Sequence, residues 1–228
     1  NCKAEENQLT NFLQITNARG RVLFQQNAIH VRSAYTNPLG DTPIGRAHYE
    51  DDKIVYAPQN FRDYNYVPLS EIHNMMISVI FPFNVPAVQR FRILPEDFAF
   101  LRRYLSLAPR ESVDPGYSSR INDSFANYLL LGRKARRYPP GIKIFNVVAR
   151  AYGFIGDSAY IIDTNRKVEF FLSAILYVNS DQVIGDDRYE YDTIGLPFLK
   201  ELGQLVYDQE KTRSRAHPPD LSIFAGRE

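Results

Sequence analysis

The chain has 228 residues, of which 44% are hydrophobic and 13% aromatic, enough apolar side chain to bury one sizeable core and too much for a disordered chain. Its 27 Lys and Arg nearly balance its 26 Asp and Glu, and a formal net charge of +1 excludes a global field selecting nucleic acid or an anionic membrane. The single cysteine, Cys2, excludes an internal disulfide, and no apolar run approaches the roughly 20 residues that span a bilayer. The sequence opens at Asn1 with no initiator Met and no signal-peptide pattern, so a processed or truncated product is expected.

In "KAEENQLTNFLQI" the spacing of Leu9, Phe12, Leu13 and Ile15 predicts a first helix. Residues 33–66 carry Pro, Gly, Asn and Asp between short apolar pieces and predict irregular surface chain, with one short strand at Lys53 to Tyr56. "LSEIHNMMISVIF" sets Leu69, Ile72, Met76 and Val79 on one helical stripe, stopped by Pro82. "LPEDFAFLRRYLSLAP" opens with Pro95 and acidic residues suited to a helix N-terminus and ends before Pro109. "NDSFANYLLLG" predicts a short helix capped by Asn122 or Asp123 and stopped at Gly132.

The second half changes character. "IKIFNVVA", "AYGFIGDSAYIID" and "KVEFFLSAILYVN" are rich in β-branched and aromatic residues, and "TNRK" at 164–167 supplies a turn between the last two, predicting an antiparallel meander. In the third run both alternating side-chain sets are mostly apolar, which suits a strand covered on both faces. "TIGLPFLKELGQLVYDQEK" supplies a covering helix with a stripe of Phe198, Leu199, Leu202, Leu205 and Val206. The expected fold is a single α+β domain over 1–228, layered helix, sheet, helix: a mainly helical and irregular region to 140, a three-stranded meander and closing helix over 141–210, and a tail from 211.

Between about Leu94 and Glu210, the stretches "LPEDFAFLRRYLSLAPRES", "NDSFANYLLLG", "IKIFNVVARAYGFIGDSAYIID", "VEFFLSAILYVN" and "YEYDTIGLPFLKELGQLVYDQE" resemble, in that order, the C-terminal part of bacterial serine hydrolases of the class A β-lactamase and penicillin-binding protein superfamily. The resemblance implies a β-lactamase-like fold from which the N-terminal strands and nucleophile helix are missing, an exported protein, and acyl transfer through an acyl-enzyme on a β-lactam, peptide or ester. With those strands missing, an edge of the meander is expected to be exposed or covered differently. It implies no cofactor.

In that superfamily a Ser-x-x-Lys pair supplies nucleophile and base, a Ser-Asp-Asn loop relays protons, and a Lys-x-Gly strand places a cation beside the substrate carboxylate. The strand pattern Phe-Asn-Lys-Val-Gly falls on Phe145-Asn146-Val147-Val148-Ala149, so Val147 stands where the lysine belongs and Ala149 where the glycine belongs. Val147 supplies neither charge nor proton, and Arg150, on the other face of a strand, is a poor substitute for it. The backbone N–H of Arg150 remains as an oxyanion donor, since main-chain groups survive side-chain change. The loop pattern falls on Glu5, Glu6, Asn7 and Asn11, with Glu5 at the serine position and Asn7 retained; an acidic first turn of a surface helix accounts for the same residues.

No Ser-x-x-Lys occurs anywhere. Thr164 and Lys167 have the spacing but sit in the predicted turn. Ser70 and His73 lie one helical turn apart without an orienting acid, and His30, His48 and His217 lack metal-ligand spacing. "DDRYEYD" at 186–192 clusters carboxylates without the order of a calcium loop, and "GRKARR" at 132–137 is a basic run without interleaved aromatics. Two functions stay open: a serine hydrolase acting on a small molecule or peptide, or a non-catalytic binding or structural module using the old cleft. Neither calls for nucleic acid or a membrane span.

Overall fold

The chain begins with nested hairpins. Leu9–Thr10 (β1) pairs antiparallel with Ile29–His30 (β4), and between them Leu13–Thr16 (β2) pairs with Val22–Gln26 (β3). Asn17 closes the inner turn: its Oδ1 accepts the N–H groups of Arg19 and Arg21, both at 3.0 Å, and Gly20 takes a φ of 77°. This Asx-type turn competes with helix and wins, so the helix expected over 3–15 is corrected, across its described part 9–15, to β1 and the start of β2 with Asn11 and Phe12 between them. The computed structural model describes residues 9–30, 39–64, 66–113, 116–117, 121–132 and 135–224.

The described residues divide into two compact units, residues 1–67 with 182–186, and residues 68–181 with 187–228. The first is built of short strands. Pro43–Ile44 (β5) pairs with Gln59–Asn60 (β8), while Ala47–Glu50 (β6) pairs with Lys53–Val55 (β7) and, in parallel, with Val183–Ile184 (β12) from far along the chain. The strand expected at 53–56 is present, and the rest of this Pro- and Gly-rich stretch holds three more that are too short to show a period. Asn60 ties the unit locally, its Oδ1 accepting from the N–H groups of Thr42 and Arg62.

The second unit carries the main core. Leu69–Ile80 (α1) starts after Pro68 and buries Met76, Val79 and Ile80; Pro95–Leu105 (α2) begins at a proline whose missing N–H costs a first-turn residue nothing. Asp97 reaches back to accept the N–H of Leu94 at 2.8 Å, fixing that start. Three ten-residue strands, Ile142–Ala151 (β9), Phe154–Asp163 (β10) and Val168–Tyr177 (β11), form an antiparallel sheet in the order β11-β10-β9. The 164–167 turn stands where the sequence predicts it, with Asp163 Oδ1 accepting from the N–H groups of Asn165 and Arg166.

Each face of this sheet has its own core. Phe145, Tyr160 and Ile162 pack with Met76 and Ile80 of α1 and with Leu221 and Phe224. Ile144, Ile155, Ala159, Ile161 and Phe170 pack on the other face with Leu129 and with Leu196 and Leu199 of Leu196–Thr212 (α3). The α+β class and the meander are thus as read from the sequence; β11 is covered on its α3 face, while on the α1 face Phe171 packs on the core and Ile175 and Tyr177 are exposed, so cover on both faces holds for the first part of the strand only. Two local expectations are corrected. Residues 123–126 form a single 3-10 turn rather than a helix running to Gly132, because the N–H groups of Tyr128 and Leu129 bond to the Asp157 carboxylate of β10 instead of continuing a helix. Leu199 is buried and Leu202 and Val206 pack on the core as expected, but Phe198 and Leu205 are exposed and the buried side of α3 instead takes in Leu196, Gly203 and Tyr207, the helix being entered through a π-helical turn at Tyr191–Gly195. No described helix is long and apolar enough to cross a membrane.

Candidate functional site

Tyr152 and Gly153, with φ of 54° and 86°, make a two-residue turn from β9 into β10. Such a turn makes Ala151 and Phe154 the closing hydrogen-bonded pair, after which paired and unpaired positions alternate. Arg150 faces Ile155 and Val148 faces Asp157 at the non-bonded positions, so their N–H and C=O groups point away from β10. No further strand joins that edge of β9 among the described residues. The Arg150 guanidinium turns to the α3 face and lies 5.3 Å from the centre of the Tyr191 ring.

Val147 and Ala149 point to the α1 face, and both are exposed, Val147 by 48%. Across the ladder Val147 meets Ser158, and Ser158 meets Ser173. The two serine hydroxyls are 2.7 Å apart, and Ser173 Oγ is 2.7 Å from Nδ1 of His73 on α1. This pairing corrects the Ser70–His73 reading: the histidine turns inward against the Phe171 ring and bonds a serine 100 residues away. The row Val147, Ser158, Ser173, His73 was not visible in the sequence, because its polar members come from three elements and each looks like an isolated strand or helix residue. Among the described residues no carboxylate bonds His73. Glu5, Glu6 and Asn7 lie outside the described residues.

Behind β9, on the α3 face, Asn146 donates to Asp157 Oδ1 at 3.0 Å and to the Ala126 carbonyl at 2.7 Å. Asp157 is 2% exposed, and burial pushes its carboxyl up to about 6 despite hydrogen bonds from Asn146, Leu129 and Tyr128. Asn146 therefore works as a structural link here, fastening the edge strand to the 126–129 segment. A carboxylate in the interior of a mostly apolar strand was the available signal for Asp157.

A separate cavity of about 770 Å³ opens between the end of α2, the 138–141 loop and the start of β9. Arg102, Arg103, Arg110 and Lys143 line it, with Glu111 as the single carboxylate among the described lining residues. Arg110 is anchored by Asp123, buried beneath it, and by Glu111 at 3.3 Å, and its guanidinium lies 5.9 Å from the Tyr138 ring centre. Burial pushes the Tyr138 hydroxyl up to about 12, and that oxygen accepts from Asn127 at 2.7 Å.

The remaining motifs resolve into local structure. Thr164 donates to the Gly141 carbonyl at 3.3 Å, His48 Nδ1 lies 2.8 Å from the Ala57 carbonyl, and Glu190 of the acidic stretch accepts the N–H of Ser180 at 3.1 Å. Among the described residues no group of three His, Cys, Asp or Glu side chains converges to hold a metal ion. No protein-family model, curated protein or solved structure matches this chain.

Proposed function

We propose that this chain is a divergent member of the β-lactamase-like serine hydrolases that binds a small molecule or peptide along the outer edge of β9 and does not acylate. The observation that carries the reading is Val147, 48% exposed on the edge strand at the position where the resemblance calls for a lysine. A valine there leaves a carboxylate-bearing ligand without its cation, while the outward N–H groups of Val148 and Arg150 still offer main-chain donors. Helices packed on both sheet faces are consistent with the layering the resemblance implies. A second reading, residual serine chemistry, is favoured by the 2.7 Å contact between Ser173 and His73, the geometry of a nucleophile and its base. No orienting carboxylate completes it among the described residues, and the half-buried Ser173 hydroxyl is also bonded to Ser158.

The test is incubation with penicillin G followed by intact mass, together with amide chemical shifts. Reversible shifts at Val148 and Arg150 with unchanged mass are expected. A stoichiometric acyl adduct overturns the non-acylating reading, and the absence of shifts on β9 overturns the binding role. A fluorophosphonate label lost in Ser173→Ala assigns serine chemistry to Ser173. Val147→Lys with Ala149→Gly is expected to strengthen binding of the penicillin carboxylate without producing an adduct.

A further inference from the structure

The cavity at the end of α2 collects like charge from three places in the chain. Arg102 and Arg103 come from the last turn of α2, Arg110 from the 3-10 turn after it, and Lys143 from the start of β9. Cations at a helix C-terminus are favoured by the helix dipole, which accounts for Arg102 and Arg103 as a pair on a surface helix. It accounts for neither Arg110 nor Lys143, which face the same space from other elements.

Among the described residues, the negative charge nearby is already committed. Glu111 accepts the N–H of Ala108 at 2.9 Å and pairs with Arg110, and buried Asp123 accepts both Arg110 and the N–H of Tyr138. Lys143 Nζ lies 5.4 Å from the Phe145 ring centre. Among the described residues no carboxylate pairs with Arg102, Arg103 or Lys143. Three cations facing one concavity repel each other, and a concave wall strengthens their combined field, so an anion entering it gains from all three at once. Arg110, held by Asp123 and Glu111, presents its guanidinium with little rotamer freedom left to lose.

We propose that this cavity binds a small polyanion of the phosphate or phosphate-ester class. Its volume exceeds that of a single phosphate and lies within the usual range for metabolite sites, about 300–1,000 Å³. The charge surplus selects ligands with two or more negative charges, and the planar guanidinium groups suit phosphate oxygens. This site is independent of the outer-edge reading of β9 and stands or falls separately.

The probe is inorganic pyrophosphate, titrated calorimetrically into the full chain at 0.05 M and 0.15 M salt. Saturable one-to-one binding is expected, weaker at the higher salt, and at least ten-fold weaker in the double variant Arg102→Gln, Lys143→Gln with unchanged circular dichroism. Should that variant misfold, protection of Lys143 from acetylation by pyrophosphate in the unmutated chain gives the same answer. Sedimentation with vesicles of phosphatidylcholine containing phosphatidic acid separates the sources: co-sedimentation displaced by pyrophosphate assigns the phosphate to a lipid headgroup, and its absence assigns it to a soluble ligand. No binding of pyrophosphate or vesicles, or binding indifferent to the double variant and to Lys143 protection, overturns the proposal.

Discussion

Tyr207, on α3, donates its hydroxyl to Asp163, the last residue of β10, at 2.5 Å, so one buried carboxylate joins the closing helix to the sheet and to the turn that follows. Burial alone would raise this carboxyl, but hydrogen bonds from Tyr207, from Arg166 and from the N–H of Asn165 hold it below its usual value. Tyr207→Phe removes one donor and leaves the oxygen to Arg166, a loss of about 1–2 kcal/mol. Urea unfolding measures it, and an unchanged midpoint would show that the α3 contact contributes nothing.

Asp157 gives the opposite pH behaviour. Its folded value, about 6, lies above the ordinary 3.8, so the folded chain holds this proton more tightly than the unfolded chain. The contribution is fully present below about 3.8 and is lost as pH rises through about 6, up to about 3 kcal/mol at 1.4 kcal/mol per unit. Stability of the unmutated chain, compared with Asp157→Asn, is expected to fall more steeply between pH 4 and pH 7. Parallel curves from urea midpoints across that range would refute the assignment.

Gly203 sits where α3 crosses the 129–130 backbone. A Cβ there would come within 2.3 Å of the Leu130 nitrogen, and Leu130 itself is held at a φ of 71°. Alanine is the better helix former by about 1 kcal/mol, yet the displaced backbone outweighs that gain. Gly203→Ala is expected to destabilise by about 1–3 kcal/mol net, read from thermal and urea melts. A neutral result would mean that the 129–130 segment yields freely.

The row Val147, Ser158, Ser173, His73 predicts two contrasting substitutions. Ser173→Ala leaves the buried Ser158 hydroxyl and His73 Nδ1 without their shared partner and costs about 1–2 kcal/mol. Val147→Lys, on the exposed end of the same row, changes stability by less than about 0.5 kcal/mol. Equal effects in urea melts would contradict the difference between the exposed Val147 and the hydrogen-bonded Ser173.

Legibility in the sequence followed the strength of the local signal. The meander was readable because its strands are ten residues long and its 164–167 turn is polar, α1 because its apolar stripe ends at Pro82, and α2 because Pro95 and acidic residues mark its start. The opening hairpins were not, since Leu9, Phe12, Leu13 and Ile15 fit a helical spacing and only the Asn17 side-chain bonds show which conformation prevails. Residues 123–132 defeated the reading for a tertiary reason: Asp157, 28 residues beyond Leu129, takes the N–H groups that a helix would have used. Of the site, the β9 positions came from the resemblance, whereas the Ser173–His73 contact and the convergence of Arg102, Arg110 and Lys143 depend on pairings across the fold that no spacing encodes.

The two turns of the meander also bear on how the chain reaches this state. Residues 152–153 and 164–167 are the only links among thirty strand residues, so the two largest sets of strand contacts are all closed through very short loops. Loop closure of that kind is entropically cheap and fast. The sheet therefore joins its strands through the shortest connections its length allows, while α1 and α3, lying on either side of it in sequence, reach its two faces across longer stretches of chain.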